Sequence, residues 1–452
     1  MNLIDVIKNA GVVGAGGAGF PTHLKLNAKA DWFIVNAAEC EPLIETDKYL
    51  CRVYADKIIA AAEIVAGHLG AKHIVIVTKQ SYAAEITALR AAISKADSRT
   101  ELFLSGVFYP AGDEQIIVQM VTGKSVPERG IPLAVGAVVD NVGTLCAIYD
   151  AVVEGVSVHT KYLSVVGAVE RPMLMHAPIG TPLMECIEKA HPYNKDFAVI
   201  LGGPMMGRML SDKDEIRRAT VTKTLGNLLV LPKDHYLVTR SKRSIERIRM
   251  QTRSACIQCR MCTDLCPRYM IGHSIRPHLI MRNLYREETI TDDAEFLRTY
   301  GDAANCCACG ACEMFSCPMG LSPRKVNDYM KQRLRARGLQ PEPNKTPEAR
   351  CGINMRRIPT GRLVARLGLA EYYHRPIPAE VMEIHPKKIF VPFSQHIGRP
   401  AAAVKTTGDF IRAGELLAAA ADGVSANIHA GISGFITEIS AAGAVIEVRG
   451  EE

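Results

Sequence analysis

Two cysteine runs carry the clearest chemistry in this chain: Cys256-x2-Cys259-x2-Cys262-x3-Cys266-Pro267 and Cys306-x2-Cys309-x2-Cys312-x4-Cys317-Pro318. Thiolates two residues apart on one tight loop can take three corners of an iron–sulfur cubane, and a fourth, followed by proline, reaches further along. That fourth cysteine lies too far on to close its own corner set comfortably. The pattern therefore pairs Cys256, Cys259 and Cys262 with Cys317, and Cys306, Cys309 and Cys312 with Cys266. Such an exchange ties the runs together and brings two [4Fe–4S] clusters within reach of each other. The second run has one residue more before its last cysteine, which a small loop can absorb.

Structural zinc is the competing reading. Zinc ribbons need two CxxC pairs per metal and make no use of a third CxxC step or of Cys-Pro endings, so the spacing favours iron–sulfur. A disulfide framework fits less well, because the chain is long and Met1-Asn2-Leu3-Ile4-Asp5 puts an acid where a secretory signal needs basic residues. The other cysteines, Cys40, Cys51, Cys146, Cys186, Cys307 and Cys351, share no spacing and read as small buried side chains. The two runs together resemble those of two-cluster bacterial ferredoxins.

At 452 residues the chain exceeds one hydrophobic core, and two to four domains are expected. No apolar run reaches the roughly 18 residues of a membrane span, so a cytoplasmic protein not integral to a membrane is expected. The net charge of +7 is mild, but its basic residues are bunched: Arg240, Lys242, Arg243, Arg247, Arg249 and Arg253 before the first run, and Arg324, Lys325, Lys331, Arg333, Arg335 and Arg337 after the second. They either offset the negative charge of thiolate-held clusters or form solvated helix faces. No aromatic platform is interleaved with them, so nucleic acid is not an expected partner.

The elements that must feed such clusters lie upstream. Gly14-Ala15-Gly16-Gly17-Ala18-Gly19-Phe20-Pro21 formally satisfies G-x-G-x-x-G. A dinucleotide fingerprint needs a strand before the glycines and a helix starting at them. Here Ile4, Val6 and Ile7 read as a short helix, and Pro21 blocks the helix that should follow. What remains is a loop whose bare backbone N–H groups can approach a phosphate or a flat ring. Strand patterns at 31–36, 73–78 and 102–107 alternate with helical spacing at 53–69 and 82–94, which predicts a Rossmann-like α/β layer with a largely parallel sheet.

The glycine run, with Thr22 and Lys25 behind it, resembles the flavin loop of the NADH-oxidising subunit of respiratory complex I. Asn36-Ala37-Ala38-Glu39-Cys40-Glu41-Pro42, Gly112-Asp113-Glu114 and Asp140-Asn141-Val142-Gly143-Thr144 resemble further segments of that family, in the same order. The resemblance implies that Gly16, Gly17, Gly19 and Lys25 hold the loop and phosphate of FMN, and that Asn36, Asn141 and Thr144 make polar contacts to the flavin. It adds Gly112 and Glu114 to the cofactor segments, sets Glu39 and Glu41 against NADH, and makes Phe20 a stacking partner. Ala38, Cys40 and Gly143 depart from the family's pattern.

Further on, strand patterns at 162–167 and 198–202 flank a helix at 182–190 and end in Gly203-Pro204-Met205-Met206-Gly207. This stretch resembles a soluble-ligand-binding (SLBB-like) β-grasp module, which could bind a corrin or bridge domains. Helical spacing at 275–285 and 293–300 suits a helical ferredoxin-like domain around the cysteines. After the prolines at 341, 343 and 347, short strands at 388–392, 408–411, 414–417, 433–439 and 444–448 predict a small barrel. Pro392-Phe393-Ser394-Gln395-His396-Ile397-Gly398 resembles the barrel-sandwich hybrid domain of RnfC-type proteins, and His385 and His396 read as structural.

The expected organisation is multi-domain α/β. Residues 1–155 form an FMN/NADH-binding domain, 156–235 a β-grasp domain, 236–340 a two-cluster helical domain, 341–364 a linker and 365–452 a barrel-sandwich domain. With the flavin domain first and the barrel last, the order resembles the PduS-type corrin reductases more than RnfC-type subunits. That resemblance implies an NADH-dependent oxidoreductase passing electrons through FMN and two [4Fe–4S] clusters to cob(III)alamin and cob(II)alamin, with no catalytic acid or base. It further implies cobalamin or a cobalamin adenosyltransferase as acceptor, and residence in a bacterial microcompartment with shell proteins as partners. Two other readings remain: an RnfC-like subunit feeding a ferredoxin or membrane complex, and a non-enzymatic microcompartment component with structural metal.

Overall fold

The structure, a computed structural model, describes residues 2–448. Its first layer is built on β1 (Trp32–Ala37), β2 (His73–Lys79), β3 (Glu101–Ser105), the short β4 (Phe108–Tyr109) and β5 (Ala137–Asn141). Four of these form an all-parallel sheet in the order β3-β2-β1-β5. Because side chains alternate across a strand, β1 and β2 send Phe33, Val35, Ile74 and Ile76 to one face and Ile34, Val75 and Val77 to the other. Helices Ala55–Leu69 and Val142–Val152 cover the first face and Glu114–Thr122 the second. Double burial explains the unbroken apolar run of β2. The glycine run precedes β1, between two short helices, so the strand a dinucleotide fingerprint requires is absent there.

The second layer contains β6 (Thr160–Gly167), β7 (Met173–Pro178), β8 (Phe197–Leu201), β9 (Arg208–Leu210) and β10 (Asn227–Pro232). Two later strands join these layers: β11 (Ile358–Pro359) pairs with β4, and β12 (Val381–Glu383) pairs with β7 at the edge of the six-stranded sheet. The stretch expected as a linker is thus partly structured. Ile358, Leu363, Val364, Leu367 and Leu369 enter one core with Met205, Leu229 and Leu231, a burial that the prolines and charges around them obscured in the sequence.

The barrel proper begins at β13 (Lys388–Pro392) and continues through β14 (Ala402–Ala403), β15 (Phe410–Ile411), β16 (Leu416–Ala419), β17 (Ile428–His429), β18 (Gly434–Ile439) and β19 (Gly443–Glu447). It folds as two small antiparallel sheets around Ile389, Val391, Leu417 and Ile446. The cysteine segment is helical, its core formed by Ile280, Phe296, Tyr300, Val326 and Met330.

One buried lysine stitches three of these parts together. Lys223, between the second-layer strands, donates from Nζ to Gly11 O and to Asn427 O, both at 2.6 Å, while its backbone N–H donates to Gln395 Oε1 at 2.9 Å. Burial without a carboxylate pushes its pKa down to about 7. Lys223→Ala strands two buried carbonyls and leaves a cavity, so stability should fall by about 2–5 kcal/mol. Denaturation should show a lower midpoint with earlier exchange of the amides near residues 11 and 427; an unchanged midpoint would contradict the staple.

Candidate functional site

Chain direction reverses beside β1, since the sheet grows first towards β3 and then adds β5 on the opposite side. Open α/β sheets bind ligands in the crevice outside the carboxyl ends of such strands. The resemblance-derived residues gather there. Asn36, at the end of β1, donates from Nδ2 to Gly112 O at 2.9 Å and accepts from Ala38 N–H at 3.1 Å. Gly112 lies so close that an added Cβ would sit 2.9 Å from Ala38 O. Asn141 caps helix Val142–Val152 by accepting from Gly143 N–H at 2.8 Å and donates to Asp47 Oδ2 at 2.7 Å. Ala15 N–H donates to Thr144 Oγ1 at 3.0 Å, which fastens the glycine loop to that helix. Gly143, where the complex I family has an acid, leaves room for Ala15: an added Cβ would stand 3.2 Å from the Ala15 methyl.

The loop tip is open. Gly16, Gly17 and Ala18 are exposed, and Gly17 has φ +114°, a conformation that favours glycine. Gly19 and Phe20 turn back under cover: Ile397 N–H of the barrel donates to Gly19 O at 3.1 Å, and Gly14 N–H to Phe20 O at 2.9 Å. The crevice floor holds buried polar atoms without partners among the described residues, Thr78 Oγ1 at the end of β2 and Asp140 Oδ2 at the end of β5. Lys79 is buried beside them, and burial lowers its pKa. Orphaned polar groups at a strand-end crevice under a bare-backbone loop suit a phosphate-bearing planar cofactor such as FMN.

Two residues, Lys25 and Glu41, sit differently from what the resemblance implied. Lys25 donates to Val139 O at 2.7 Å and pairs with Glu114 at 3.4 Å and Asp140 at 3.5 Å, so its charge is met inside the protein. Burial opposes that charge, but Asp140 and Glu114 outweigh it and raise the pKa. Glu41 turns away from the crevice mouth to accept from Met205 and Met206 N–H, both at 2.9 Å. Gly203 is needed for that grip, since an added Cβ would fall 2.2 Å from Glu41 Oε2. Glu39 stays in the crevice, and its pKa is pushed up to about 8 by burial and then by Asp47.

The cysteines form two groups. Cys256, Cys259, Cys262 and Cys317 surround a cavity of about 340 Å3 that also touches Ile257, His278 and Met319. Cys266, Cys306, Cys309 and Cys312 surround a second, of about 300 Å3, lined further by Ile275, Cys307 and Asn327. Among the described residues no three His, Cys, Asp or Glu side chains converge as ligands of a single metal ion. Thiols spread around a void match a multi-atom inorganic core better than tetrahedral zinc. Both loops share one backbone: Gln258 and Arg260 flank Cys259 at φ +54° and +68°, as Ala308 and Gly310 flank Cys309 at +56° and +78°. The extra residue before Cys317 is absorbed in a π-helical turn, Cys317 N–H donating to Cys312 O at 3.1 Å. Cys307, read from sequence as a small buried side chain, is a fifth thiol of the second cavity; its adjacency to Cys306 was the only signal.

Residues beside the crevice bond directly to residues around the second cavity. Arg268, two residues after Cys266, makes a bidentate pair with Asp113 at 2.7 and 2.9 Å, and Tyr109 Oη donates to Cys309 O at 2.6 Å. Several bunched cations turn inward to buried acids rather than to solvent. Arg240 bonds Glu313 at 3.1 Å, with 1% and 0% of their side chains exposed, and Arg249 and Arg333 reach Glu287 at 3.0 and 2.7 Å. No described helix is long and apolar enough to cross a membrane.

Family models match three stretches: the Nuo51 FMN-binding domain at 7–150, a 4Fe-4S dicluster domain at 255–322 and the RnfC barrel sandwich hybrid domain at 374–448. The chain is 38% identical to cobalamin reductase PduS of Citrobacter freundii over 96% of this chain and 94% of that protein. It is 38% identical to cobalamin reductase PduS of Salmonella typhimurium over 98% and 96%. It is 32% identical to one component of the Na(+)-translocating ferredoxin:NAD(+) oxidoreductase complex of Acetobacterium woodii over 58% and 57%. Fold and matches define a member of the superfamily shared by RnfC and the FMN-binding subunit of complex I. Within it, the chain belongs to the cobalamin reductase PduS family.

Glu39 and Glu41, pushed up to about 8 and about 7 mainly by burial, hold protons that their unfolded counterparts have lost above the ordinary carboxylate range. The folded state therefore loses stability as pH rises from about 5 to about 8, by up to about 1.4 kcal/mol per pH unit for each such group. Melting of the flavin-free protein across that range should show the decline, and Glu39→Gln should make it shallower. An equally steep decline in the variant would contradict the buried-carboxyl assignment.

Proposed function

We propose that the chain is an NADH-dependent cobalamin reductase, an oxidoreductase that draws electrons from NADH at the strand-end crevice and delivers them through the cysteine-lined cavities to cob(III)alamin and cob(II)alamin. The observation that carries this reading is the direct link between residues beside the crevice and residues around the second cavity, Asp113–Arg268 and Tyr109–Cys309. Nicotinamide gives two electrons as hydride whereas cobalt takes them singly, and bound FMN and [4Fe–4S] clusters supply the conversion and the conduction.

The chain's own residues hold and orient. Backbone N–H groups of Gly16, Gly17 and Ala18 line the site for FMN, fixed from behind by Thr144 and Asn141. Asn36 and Gly112 keep its inner wall closed, and Phe20 lies at the loop's base. Lys25 works with Glu114 and Asp140 as a strut under the crevice rather than as a direct phosphate ligand. Glu39, part-protonated near neutral pH, can donate a hydrogen bond to the nicotinamide nucleotide, while Glu41 clamps the second layer onto the flavin domain. Cys256, Cys259, Cys262 and Cys317 hold one cluster, and Cys306, Cys309, Cys312 and Cys266 the other. A cobalamin adenosyltransferase as physiological acceptor and shell proteins of a microcompartment as neighbours complete the reading, by likeness to the PduS family.

Anaerobic mixing with NADH and hydroxocobalamin should yield cob(II)alamin; reduction of dyes but not of cobalt would move the assignment to an RnfC-like role. Zinc without acid-labile sulfide in anaerobically purified protein would remove it altogether. Cys259→Ala should erase one of two cluster signals in EPR, with an undiminished spectrum as the contrary result. Lys25→Ala should lower bound FMN per chain, and equal flavin content would refute the strut.

A further inference from the structure

The two cysteine cavities differ in what surrounds them. In the second, Cys266, Cys309 and Cys312 are buried, Ile275, Pro277 and Ala311 close its walls, and the flavin domain abuts it through Asp113 and Tyr109. The 203–207 loop packs on it from the second layer, so that an added Cβ on Gly310 would lie 3.3 Å from Met205 O. The first cavity is open: Cys259 is exposed, and Ile257 and Met319, both lining it, are 62% and 45% exposed. Met261 beside them is 41% exposed. One cavity therefore faces the source of electrons and the other faces solvent.

We propose that electrons enter at the quartet of Cys266, Cys306, Cys309 and Cys312 and leave at that of Cys256, Cys259, Cys262 and Cys317, where a corrinoid docks its macrocycle face on Ile257, Met261 and Met319. The inference rests on the cobalamin reductase reading. The occupant follows from size and chemistry. A specific protein interface takes about 20–30 residues a side, whereas here two exposed apolar side chains, Ile257 and Met319, line the cavity, with Met261 at the start of the helix that follows, a match for one face of a flat ring. Methionine adapts to irregular apolar surfaces. Gln258 and Arg260, both exposed, line the same cavity; Gln258 donates to Cys256 Sγ at 3.1 Å and Arg260 to Tyr269 Oη at 3.0 Å, and the remaining N–H groups of their amide and guanidinium suit the carboxamides on a corrin's rim. In balance, one NADH becomes NAD+ and a proton, and its two electrons reduce two Co(III) centres to Co(II), each releasing an axial hydroxide or water.

The test is the double variant Ile257→Glu/Met319→Glu, accepted for comparison when its iron, sulfide and flavin per chain equal the parent's. With NADH saturating, the KM for hydroxocobalamin should rise at least about tenfold, equivalent to roughly 1.4 kcal/mol of lost binding. Cluster reduction by NADH alone, read by EPR in the absence of cobalamin, separates lost docking from a first cluster whose potential the new carboxylates have lowered. A KM within about twofold of the parent would overturn the docking face while leaving the reductase reading intact. A parent protein that cannot reduce hydroxocobalamin would overturn both. If the double variant fails to load iron, Met319→Gln alone carries the same comparison, with the same two outcomes.

Discussion

Each cysteine loop lends its last thiol to the other's cavity, and that exchange constrains everything around it. Neither cavity can close unless both loops sit at a fixed separation, so the helices between and after them must pack as one body. They do so around Ile280, Phe296, Tyr300 and Val326. Glu313, next to Cys312, is neutralised by Arg240, and the buried Glu287 of the same domain by Arg249 and Arg333. Removing either partner of the fully buried Arg240–Glu313 pair leaves an uncompensated charge, a loss of about 3–5 kcal/mol.

The joints between the parts combine a shared apolar core, in which Tyr109, Leu229, Met314 and Leu363 meet, with specific polar links. Glu41 is gripped by the Met205 and Met206 amides, Asp113 by Arg268, and the carbonyls of Gly11 and Asn427 by Lys223. Each crosses between parts that the sequence separates by more than a hundred residues. The second layer here bridges the flavin domain, the cluster domain and the barrel, and the barrel loop at Ile397 in turn covers Gly19. Coupling between flavin crevice and cavity thus depends on ion pairs and amide nests whose geometry is set by packing on either side.

Local signals were legible in the sequence and long-range ones were not. The parallel sheet's first three strands and the helices between them follow from apolar periodicity, because double burial leaves an unbroken run such as Ile74–Val77. The cysteine spacing predicts a pairing across loops, and the two cavities group the cysteines in that way; the π-turn at 312–316 is the physical form of the extra residue. By contrast, β11 and β12 were lost in a proline-punctuated stretch, since two- and three-residue strands have no periodicity of their own. Glu41 and Lys25 read as ligand contacts because residue type shows only that a charge exists. Whether that charge meets a cofactor or another part of the fold depends on Met205 and Met206 in one case and on Asp140 in the other. Cys307 was indistinguishable from an ordinary buried thiol until the second cavity was seen around it.

The exchange of fourth ligands is open to one direct measurement: EPR of the NADH-reduced protein for Cys266→Ala beside Cys309→Ala and Cys259→Ala. The account predicts that Cys266→Ala and Cys309→Ala leave the same surviving cluster spectrum, and that Cys259→Ala leaves the other. A Cys266→Ala spectrum matching that of Cys259→Ala would mean that each run closes on itself, and would contradict the arrangement on which the electron path depends.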